Sequence, residues 1–268
     1  MDTKHKKLAI ITSCYNTAPE LLHKHFWSIK KQYESHKDIV HIIVDDASTE
    51  IETRASLLYA ADISKDYTVL IGKTSNSGPG AARNRAIDFI RQFEKFDYIC
   101  LLDSDDYLEP GSLQFRMKEL EYNKDIIAVY GDKYTAKWEK RFDSITNSNN
   151  LTEISKNLEV VPEFNRSKLM QECYIPSCSV MWRAKPFLEK VGYFNETVRL
   201  CEDWLIWKKL SALGQFKKLN YPIYTQTLHG KNLTMNKSVL NNHLMDMIVT
   251  NNDYENWAMA NAEAIKYE

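Results

Sequence analysis

Short, continuous apolar runs alternate with helical patterns over about the first 130 residues of the chain. The runs are Leu8–Ile11, Ile39–Val44, Tyr67–Ile71 and Tyr98–Leu102. Because they do not alternate with polar positions, they predict strands of a parallel sheet covered on both faces. Helices are predicted after Pro19 and over Ala81–Phe93, where apolar residues recur at helical spacing. This repetition predicts a doubly wound α/β architecture, whose ligands lie beyond the carboxyl ends of the strands.

After about Gly131 the pattern changes. Residues 140–157 are polar and predict a loop or flexible connection. Cys178–Trp182 predicts a further strand, and Asp203–Leu213 predicts an amphipathic helix. From about Ser238 onward a helical pattern predicts a tail that either packs on the domain or mediates association.

Composition narrows the class of protein. Basic and acidic residues number 35 and 36, for a net charge of -1, which argues against binding bulk nucleic acid through its phosphates. The five cysteines are scattered without the CxxC spacing of a zinc or redox site, so we expect reduced core thiols. No apolar run reaches the roughly 18 residues of a membrane span, and we expect a soluble, cytoplasmic protein.

Three carboxylates follow the fourth predicted strand, in Leu102-Asp103-Ser104-Asp105-Asp106. Like charges this close raise the free energy unless a positive group offsets them. Alternate residues of an extended segment share a face, so Asp103 and Asp105 can reach one ligand together. A hard divalent ion that bridges a diphosphate suits such oxygen ligands. The alternative is a solvated acidic turn that caps the helix beginning near Pro110.

A second strand ends in the same way, in Val44-Asp45-Asp46-Ala47-Ser48. Carboxylates at this position accept hydrogen bonds from a base or a ribose, as in dinucleotide-binding folds. Alternatively, Asp46 or Ser48 caps the following helix. Two acidic strand ends in one sheet favour a shared site.

The segment Asn76–Ala86 lies between these two strand ends and is rich in small residues. Gly78 and Gly80 allow the backbone to approach a ligand, and Pro79 suits a first helical turn. Arg83 and Arg85 place positive charge near a helix N-terminus that already favours anions. The alternative for Gly-Pro-Gly is a simple turn.

Two features of the second half complete the candidate chemistry. Glu202 and Asp203 lie at the start of a predicted helix. Either they cap that helix, or one of the two carboxylates is a general base on an acceptor hydroxyl. His229 is either a nitrogen ligand of the metal or a histidine that is structural or merely exposed.

Taken in order, these segments resemble the inverting glycosyltransferases of family two, which have the GT-A fold. The resemblance covers roughly residues 7–234. The segments that carry it are Ser13–Asn16, Val44–Ser48, Asn76–Ala86, Leu102–Asp106, Gly192–Phe194 and Glu202–Trp204.

The resemblance implies a role for each matching residue. The implied nucleotide-sugar pocket consists of Ser13, Tyr15, Asn16, Asp46, Gly80, Arg83, Asp103 and Ser104. Asp105 and His229 are the implied ligands of Mn²⁺ or Mg²⁺. Asp203 is the implied catalytic base, with Glu202 and Trp204 binding the acceptor.

The fold implied is a Rossmann-like, mostly parallel GT-A sheet flanked by helices, over residues 1–235. Its nucleotide-binding half is 1–131 and its acceptor-binding half is 132–235, followed by a helical extension over 236–268. The acceptor half contains aromatic residues that are either sugar-stacking or core residues: Tyr130, Tyr134, Trp138, Tyr174 and Trp182.

The implied activity is transfer of one sugar from a UDP-hexose or UDP-N-acetylhexosamine to a glycan or lipid-linked hydroxyl, in surface polysaccharide synthesis. The Gln-x-x-Arg-Trp motif of processive members is absent, which favours single transfer. A lipid-linked acceptor would make the protein peripheral at the inner membrane face. One departure is Ala47, which stands where the family has the glycine of Asp-Asp-Gly-Ser.

Three alternatives remain. A nucleotidyltransferase also uses a metal-binding acidic pair, but it carries a basic, glycine-rich loop after the first strand. A dinucleotide-dependent oxidoreductase requires GxGxxG there, where this chain has Thr12-Ser-Cys-Tyr-Asn16. A non-catalytic carbohydrate-binding module requires neither the metal ligands nor the base.

Overall fold

The computed structural model describes residues 7–93, 95–143, 148–230, 232 and 243–266. The strands are β1 (Leu8–Cys14), β2 (Ile39–Asp45), β3 (Thr68–Gly72), β4 (Tyr98–Leu101), β5 (Tyr107–Leu108), β6 (Ile126–Asp143), β7 (Ser148–Glu159), β8 (Met181–Arg183) and β9 (Gln215–Leu228). The helices are α1 (Pro19–Ser35), α2 (Ile51–Ile63), α3 (Pro79–Phe93), α4 (Ser112–Tyr122), α5 (Arg166–Gln171), α6 (Ala184–Pro186), α7 (Glu202–Leu213) and α8 (His243–Ala260).

Within these described residues, the strands form one sheet in the order β3-β2-β1-β4-β8-β6-β9-β5, with β7 paired to β6. The first four strands are parallel. From β8 onward the sheet is mixed, since β8 runs antiparallel to β4 and β6 while β9 is parallel to β6. The parallel half is therefore the predicted doubly wound unit, and the mixed half extends it.

Two apolar layers cover the two faces of the sheet. On one face, Ala82, Ala86 and Ile87 of α3 pack with Trp204 and Trp207 of α7. The other face is covered by Ile29 of α1 and by the apolar face of α4. Burial on both sides explains why the central strands are continuous apolar runs.

Residues 140–157 correct the prediction of a loop. They belong to an antiparallel hairpin in which Trp138 pairs with Glu153 and Lys140 with Leu151, while residues 144–147 lie outside the described part. Most of the described β7 side chains are half-buried or exposed. A strand with little core contact needs few apolar residues, so its composition imitates that of a loop.

Helix α7 also differs from its prediction, because it is buried on nearly all sides rather than amphipathic. The reason is α8, which packs on it: the ammonium of Lys208 donates a hydrogen bond to Asn251 Oδ1. Farther along, the N–H of Lys266 donates to Ala212 O at 2.8 Å. The described part of the tail thus packs on the domain, as one of the two predicted alternatives.

Candidate active site

The carboxyl ends of β1, β2 and β4 meet at one edge of the sheet. Cys14 at the end of β1 pairs with Asp45 of β2, and Ile11 pairs with Leu101 of β4. Asp103 and Asp105 lie in the short segment between the end of β4 at Leu101 and the start of β5 at Tyr107. The register therefore brings the acidic strand ends that the sequence singled out to a common edge, as expected for parallel strands.

Arg83 lies between the two halves of this edge. One guanidinium nitrogen is 2.9 Å from Asp103 Oδ1, and the other donates a hydrogen bond to Glu202 Oε1. The side chain is 4% exposed. Burial lowers the pKa of Arg83, but the negative charges of Glu202, Asp103 and Asp203 outweigh burial and raise its pKa. Arg83 is therefore a permanent buried cation that joins the strand-end carboxylates to the start of α7.

The two predicted metal ligands are in contact. His229 Nε2 lies 2.9 Å from Asp105 Oδ2, and their side chains are 13% and 23% exposed. Asn232 Nδ2 donates to the same oxygen at 3.2 Å, and Asn232 Oδ1 accepts from the N–H of His229 at 3.0 Å. One carboxylate and one imidazole nitrogen thus converge at a partly open position, as the ligands of a divalent ion must.

Asp203, the predicted base, occupies the first turn of α7 and is partly exposed. Its Oδ1 accepts the N–H of Trp204 at 2.9 Å and lies 4.0 Å from the thiol of Cys173. Desolvation, with the charge of Glu202 adding to it and Arg83 opposing it, raises the pKa of Asp203 to about 7. A carboxylate with this pKa is suited to exchange protons near neutral pH.

Two residues near Asp103 were not singled out as site residues by the sequence. Asp106 is 4% exposed and accepts the N–H of Thr227 at 2.8 Å. Burial, reinforced by Asp105 and Asp103, raises its pKa well above the ordinary value. Cys178 Sγ accepts the N–H of Asp103 at 3.2 Å. Asp106 was visible as the third carboxylate of its motif, whereas nothing in the sequence marked Cys178.

Asp103, Asp106 and Cys178 place ligand atoms within 4.8 Å of one another, which offers a second arrangement for a metal. Burial raises the pKa of both Asp106 and Cys178. A cation would have to displace a proton from each of them, since metals bind the deprotonated forms. The other candidate arrangement is the partly open contact between the Asp105 carboxylate and the His229 imidazole, whose ligand atoms are 2.9 Å apart.

Several residues predicted for the nucleotide-sugar pocket are held by protein contacts. Asp46 is 3% exposed and accepts the N–H groups of Ser77 and Gly78 at 3.1 and 2.7 Å. Its other oxygen is 2.8 Å from Lys73 Nζ. Asp46 therefore ties the end of β2 to the turn before α3, and it does not cap α2, the helix that follows it, whose N-cap is Glu50.

Three other residues of that predicted pocket also make contacts within the protein. Asn16 Oδ1 accepts from the N–H of Thr49 at 2.8 Å, and Ser104 Oγ lies 2.7 Å from Thr17 Oγ1. A Cβ on Gly80 would stand 2.8 Å from Asn195 O, so glycine is needed there for close packing. Ser13 is half-buried and Tyr15 is 47% exposed, which leaves these two open to a ligand beside Asp103.

Ala47, in the loop between β2 and α2, adopts a left-handed conformation with φ of 62°. A residue with a Cβ is unfavourable there, and glycine is not. The family's glycine at this position thus matches the backbone, and Ala47 holds the same conformation under strain.

On the acceptor side, Trp204 is fully buried and donates its indole N–H to Leu169 O at 2.6 Å. Glu202 is 7% exposed, with its carboxylate on Arg83. Tyr130 and Trp182 are fully buried core residues, the second of the two alternatives for them, while Tyr134, Trp138 and Tyr174 are half-buried.

Comparison with known proteins decides the family. The sequence model described as "Glycosyl transferase family 2" matches residues 9–187. The chain belongs to glycosyl transferase family 2. The match contains the ends of β1, β2 and β4, with Arg83, Asp103 and Asp105, and it ends before Glu202, Asp203 and His229, which the resemblance also included.

Several curated proteins resemble this chain over part of their length. The chondroitin synthase of Pasteurella multocida is 32% identical over 196 residues, which is 70% of this chain and 18% of that protein. The chondroitin synthase of Escherichia coli is 30% identical over 200 residues, 75% of this chain and 26% of that protein. The hyaluronan synthase of Pasteurella multocida is 32% identical over 169 residues, 63% of this chain and 16% of that protein. The chain thus spans between 16% and 26% of the length of these relatives.

Solved structures confirm the GT-A fold. The mannosyltransferase PcManGT from Pyrobaculum calidifontis, solved with GDP-Man and Mn²⁺, superposes with a TM-score of 0.62 at 17% identity, covering 99% of this chain and 77% of that one. S. aureus TarS superposes with a TM-score of 0.60 at 20% identity, covering 82% of this chain and 60% of that one. Among the residues that the structure describes, no helix is long and apolar enough to span a bilayer.

Proposed function

We propose that this chain is a metal-dependent, inverting glycosyltransferase that moves one sugar from a nucleotide-sugar to an acceptor hydroxyl. The contact of Asp105 with His229 is the observation that supports it most, because it pairs a strand-end carboxylate with an imidazole 124 residues away. Neither a dinucleotide-binding site nor a carbohydrate-binding surface needs that pair. A nucleotidyltransferase, the nearest alternative chemically, would place a basic loop after β1, where the chain has Ser13–Asn16.

The donor side of the proposed site lies along the ends of β1, β2 and β4. Ser13 and Tyr15 are open to a base, and Asp103 is suited to a ribose because its side chain is 38% exposed. Arg83, Asp46, Asn16, Gly80 and Ser104 support this pocket through the contacts described above. We propose UDP as the nucleotide, since TarS was solved with UDP and with UDP-GlcNAc. PcManGT was solved with GDP-Man, so a guanosine diphosphate donor is the competing choice.

The carboxylate oxygen of Asp105 and the imidazole nitrogen of His229 are suitable ligands for a divalent ion. Oxygen ligands suit both Mn²⁺ and Mg²⁺, and imidazole nitrogen favours the transition metal. When bound, the ion would stabilise the negative charge of the departing diphosphate. Asn232 holds both ligands through its hydrogen bonds to the Asp105 carboxylate and the His229 backbone.

Asp203 is the proposed base. Its carboxylate takes the proton of the acceptor hydroxyl while the hydroxyl oxygen bonds to the anomeric carbon, and the bond from that carbon to the diphosphate oxygen breaks. The configuration at this carbon inverts in a single displacement. Glu202, fixed on Arg83, supports the acceptor side without leaving its ion pair. Trp204 contributes packing beneath Asp203, because its ring is fully buried.

For the acceptor we propose a glycan or lipid-linked hydroxyl in surface polysaccharide synthesis. The curated relatives are named hyaluronan and chondroitin synthases, which supports a saccharide as the acceptor class. A lipid-linked acceptor would place a cytoplasmic protein peripherally at the inner membrane face.

The Asp203→Asn variant tests this proposal. General-base catalysis typically contributes 10²–10⁴-fold, so turnover should fall by about that factor while UDP binding with Mn²⁺ persists. Burial disfavours the charged carboxylate, so the neutral amide should fold at least as stably at pH 8. Asp66→Asn is the matched control, because Asp66 is exposed on the turn between α2 and β3. Near-normal turnover of Asp203→Asn would exclude Asp203 as the base.

A further inference from the structure

Residues 194–201 form a loop that leads into Glu202 and Asp203, and one side of this loop is fixed on α3. The N–H of Phe194 donates to Asn84 Oδ1 at 2.8 Å, and Asn84 Nδ2 returns a hydrogen bond to Phe194 O at 2.9 Å. Gly80 allows the backbone oxygen of Asn195 to approach α3 closely. The same helix carries Arg83, so the start of the loop is aligned with the donor side of the proposed site.

The other side of the loop is fixed on α8. Asp246, in the first turn of that helix, accepts the N–H groups of Arg199 and Leu200 on one carboxylate oxygen, at 3.2 and 3.0 Å. Asp246 is 8% exposed, and its hydrogen bond with Leu200 is buried while that with Arg199 is partly buried. Asn195 adds a side-chain hydrogen bond to Asp253, farther along α8. Hydrogen bonds to a carboxylate are stronger than those to a neutral acceptor.

The backbone is strained at the point that Asp246 holds. Cys201 follows Leu200 directly and adopts a left-handed conformation with φ of 64°. This conformation is unfavourable for a residue with a Cβ and persists only where the surroundings fix it. The turn at Cys201 sets the direction in which α7 starts, and its first two residues are Glu202 and Asp203.

We propose that Asp246 is a positioning residue for sugar transfer, which holds the loop before Asp203 in the strained shape that sets the direction of the Asp203 carboxylate. This inference rests on the proposed function. It assigns a role in the reaction to α8, which lies outside the segment that matches the family model. Asp246 acts through the backbone of Arg199 and Leu200 and does not contact substrate.

The test compares three variants of the full chain at Asp246. Asp246→Ala removes the oxygen that accepts the two backbone hydrogen bonds. Asp246→Ser keeps a polar group, but on a side chain too short to reach both N–H groups. Asp246→Asn retains one side-chain oxygen at the same position. Asn252→Ala, an exposed position on the same helix, controls for disturbance of α8. The readouts are kcat, donor KM, UDP binding with Mn²⁺, and hydrogen exchange at the amides of Arg199 and Leu200.

We expect Asp246→Ala and Asp246→Ser to lower kcat at least tenfold with donor KM and UDP binding within about twofold, and to speed amide exchange at both residues. Asp246→Asn should keep more than half of kcat. If Asp246→Ala does not fold, Asp246→Ser decides. Wild-type kcat in Asp246→Ser, or equal loss in Asp246→Asn, would overturn the positioning role. No turnover by the wild-type chain with any nucleotide-sugar would instead overturn the proposed function.

Discussion

His229 Nε2 lies 2.9 Å from Asp105 Oδ2, although 124 residues separate them in the chain. Asp105 comes after β4, a strand of the parallel half of the sheet, and His229 comes after β9, a strand of the mixed half. The parallel pairing of β9 with β6 carries the chain back to this edge, where Lys137 pairs with Leu228. The contact therefore depends on both halves of the fold.

Removal of either ligand should abolish metal-linked nucleotide binding. In Asp105→Ala and in His229→Ala we expect UDP to give no thermal stabilisation with Mn²⁺. The wild-type chain should gain about 2.7 kcal/mol when UDP is at a hundred times its Kd. Differential scanning fluorimetry with and without Mn²⁺ measures this, and His23→Ala, an exposed histidine on α1, should behave as wild type. Full metal-dependent stabilisation of either ligand variant would exclude this pair as the metal site.

The rate of transfer should depend on pH through Asp203. The pKa of this carboxyl is raised to about 7, chiefly by desolvation and the charge of Glu202. Below that pH the carboxyl is protonated and accepts no proton, so kcat should fall about tenfold for each unit of decrease. Above pH 8 it should reach a plateau. A steady-state pH profile measures this, and a kcat that is flat between pH 5.5 and 8 would contradict the role of Asp203.

Arg83 should contribute strongly to stability, because its removal leaves Glu202 buried without its cation. In Arg83→Met we expect the free energy of unfolding to fall by about 3–5 kcal/mol, the usual effect of breaking a buried pair. Urea denaturation followed by circular dichroism measures it. Arg85→Met on the same helix is the control, since its side chain is 57% exposed and 4.0 Å from Asp88. Equal unfolding free energies for Arg83→Met and Arg85→Met would show that the buried bridge adds nothing.

Replacing Ala47 by glycine should stabilise the chain. A left-handed residue with a Cβ costs roughly 1–2 kcal/mol, and glycine loses about 0.4–1 kcal/mol through the greater freedom of the unfolded chain. The net gain should be on the order of 1 kcal/mol in urea denaturation. Ala55→Gly, at an exposed position within α2, should change stability in the opposite direction by a similar amount. A loss of stability in Ala47→Gly would mean that the left-handed conformation costs Ala47 less free energy than glycine loses through the freedom of the unfolded chain.

The sequence predicted the parallel strands and the acidic edge because both have local signals. β1 begins as a continuous apolar run and Asp103 comes just after the apolar run of β4, so periodicity and position sufficed. The hairpin of β6 and β7 was missed because its exposed residues carry no apolar pattern. The burial of Arg83 between Asp103 and Glu202 had no local signal either, since Glu202 lies 119 residues away. Only the tertiary packing of α7 on α3 turns an expected nucleotide contact into a buried bridge.

The most direct test of the central claim is release of nucleoside diphosphate from a panel of UDP- and GDP-sugars, with a saccharide acceptor and with or without Mn²⁺. The proposed function predicts metal-dependent release by the wild-type chain with at least one donor, and loss of that release in Asp105→Ala and Asp203→Asn. Release that is equal with and without Mn²⁺ would contradict the proposed function. Release that is as great in Asp105→Ala and Asp203→Asn as in the wild-type chain would also contradict it. So would the absence of both release and metal-dependent binding across the panel.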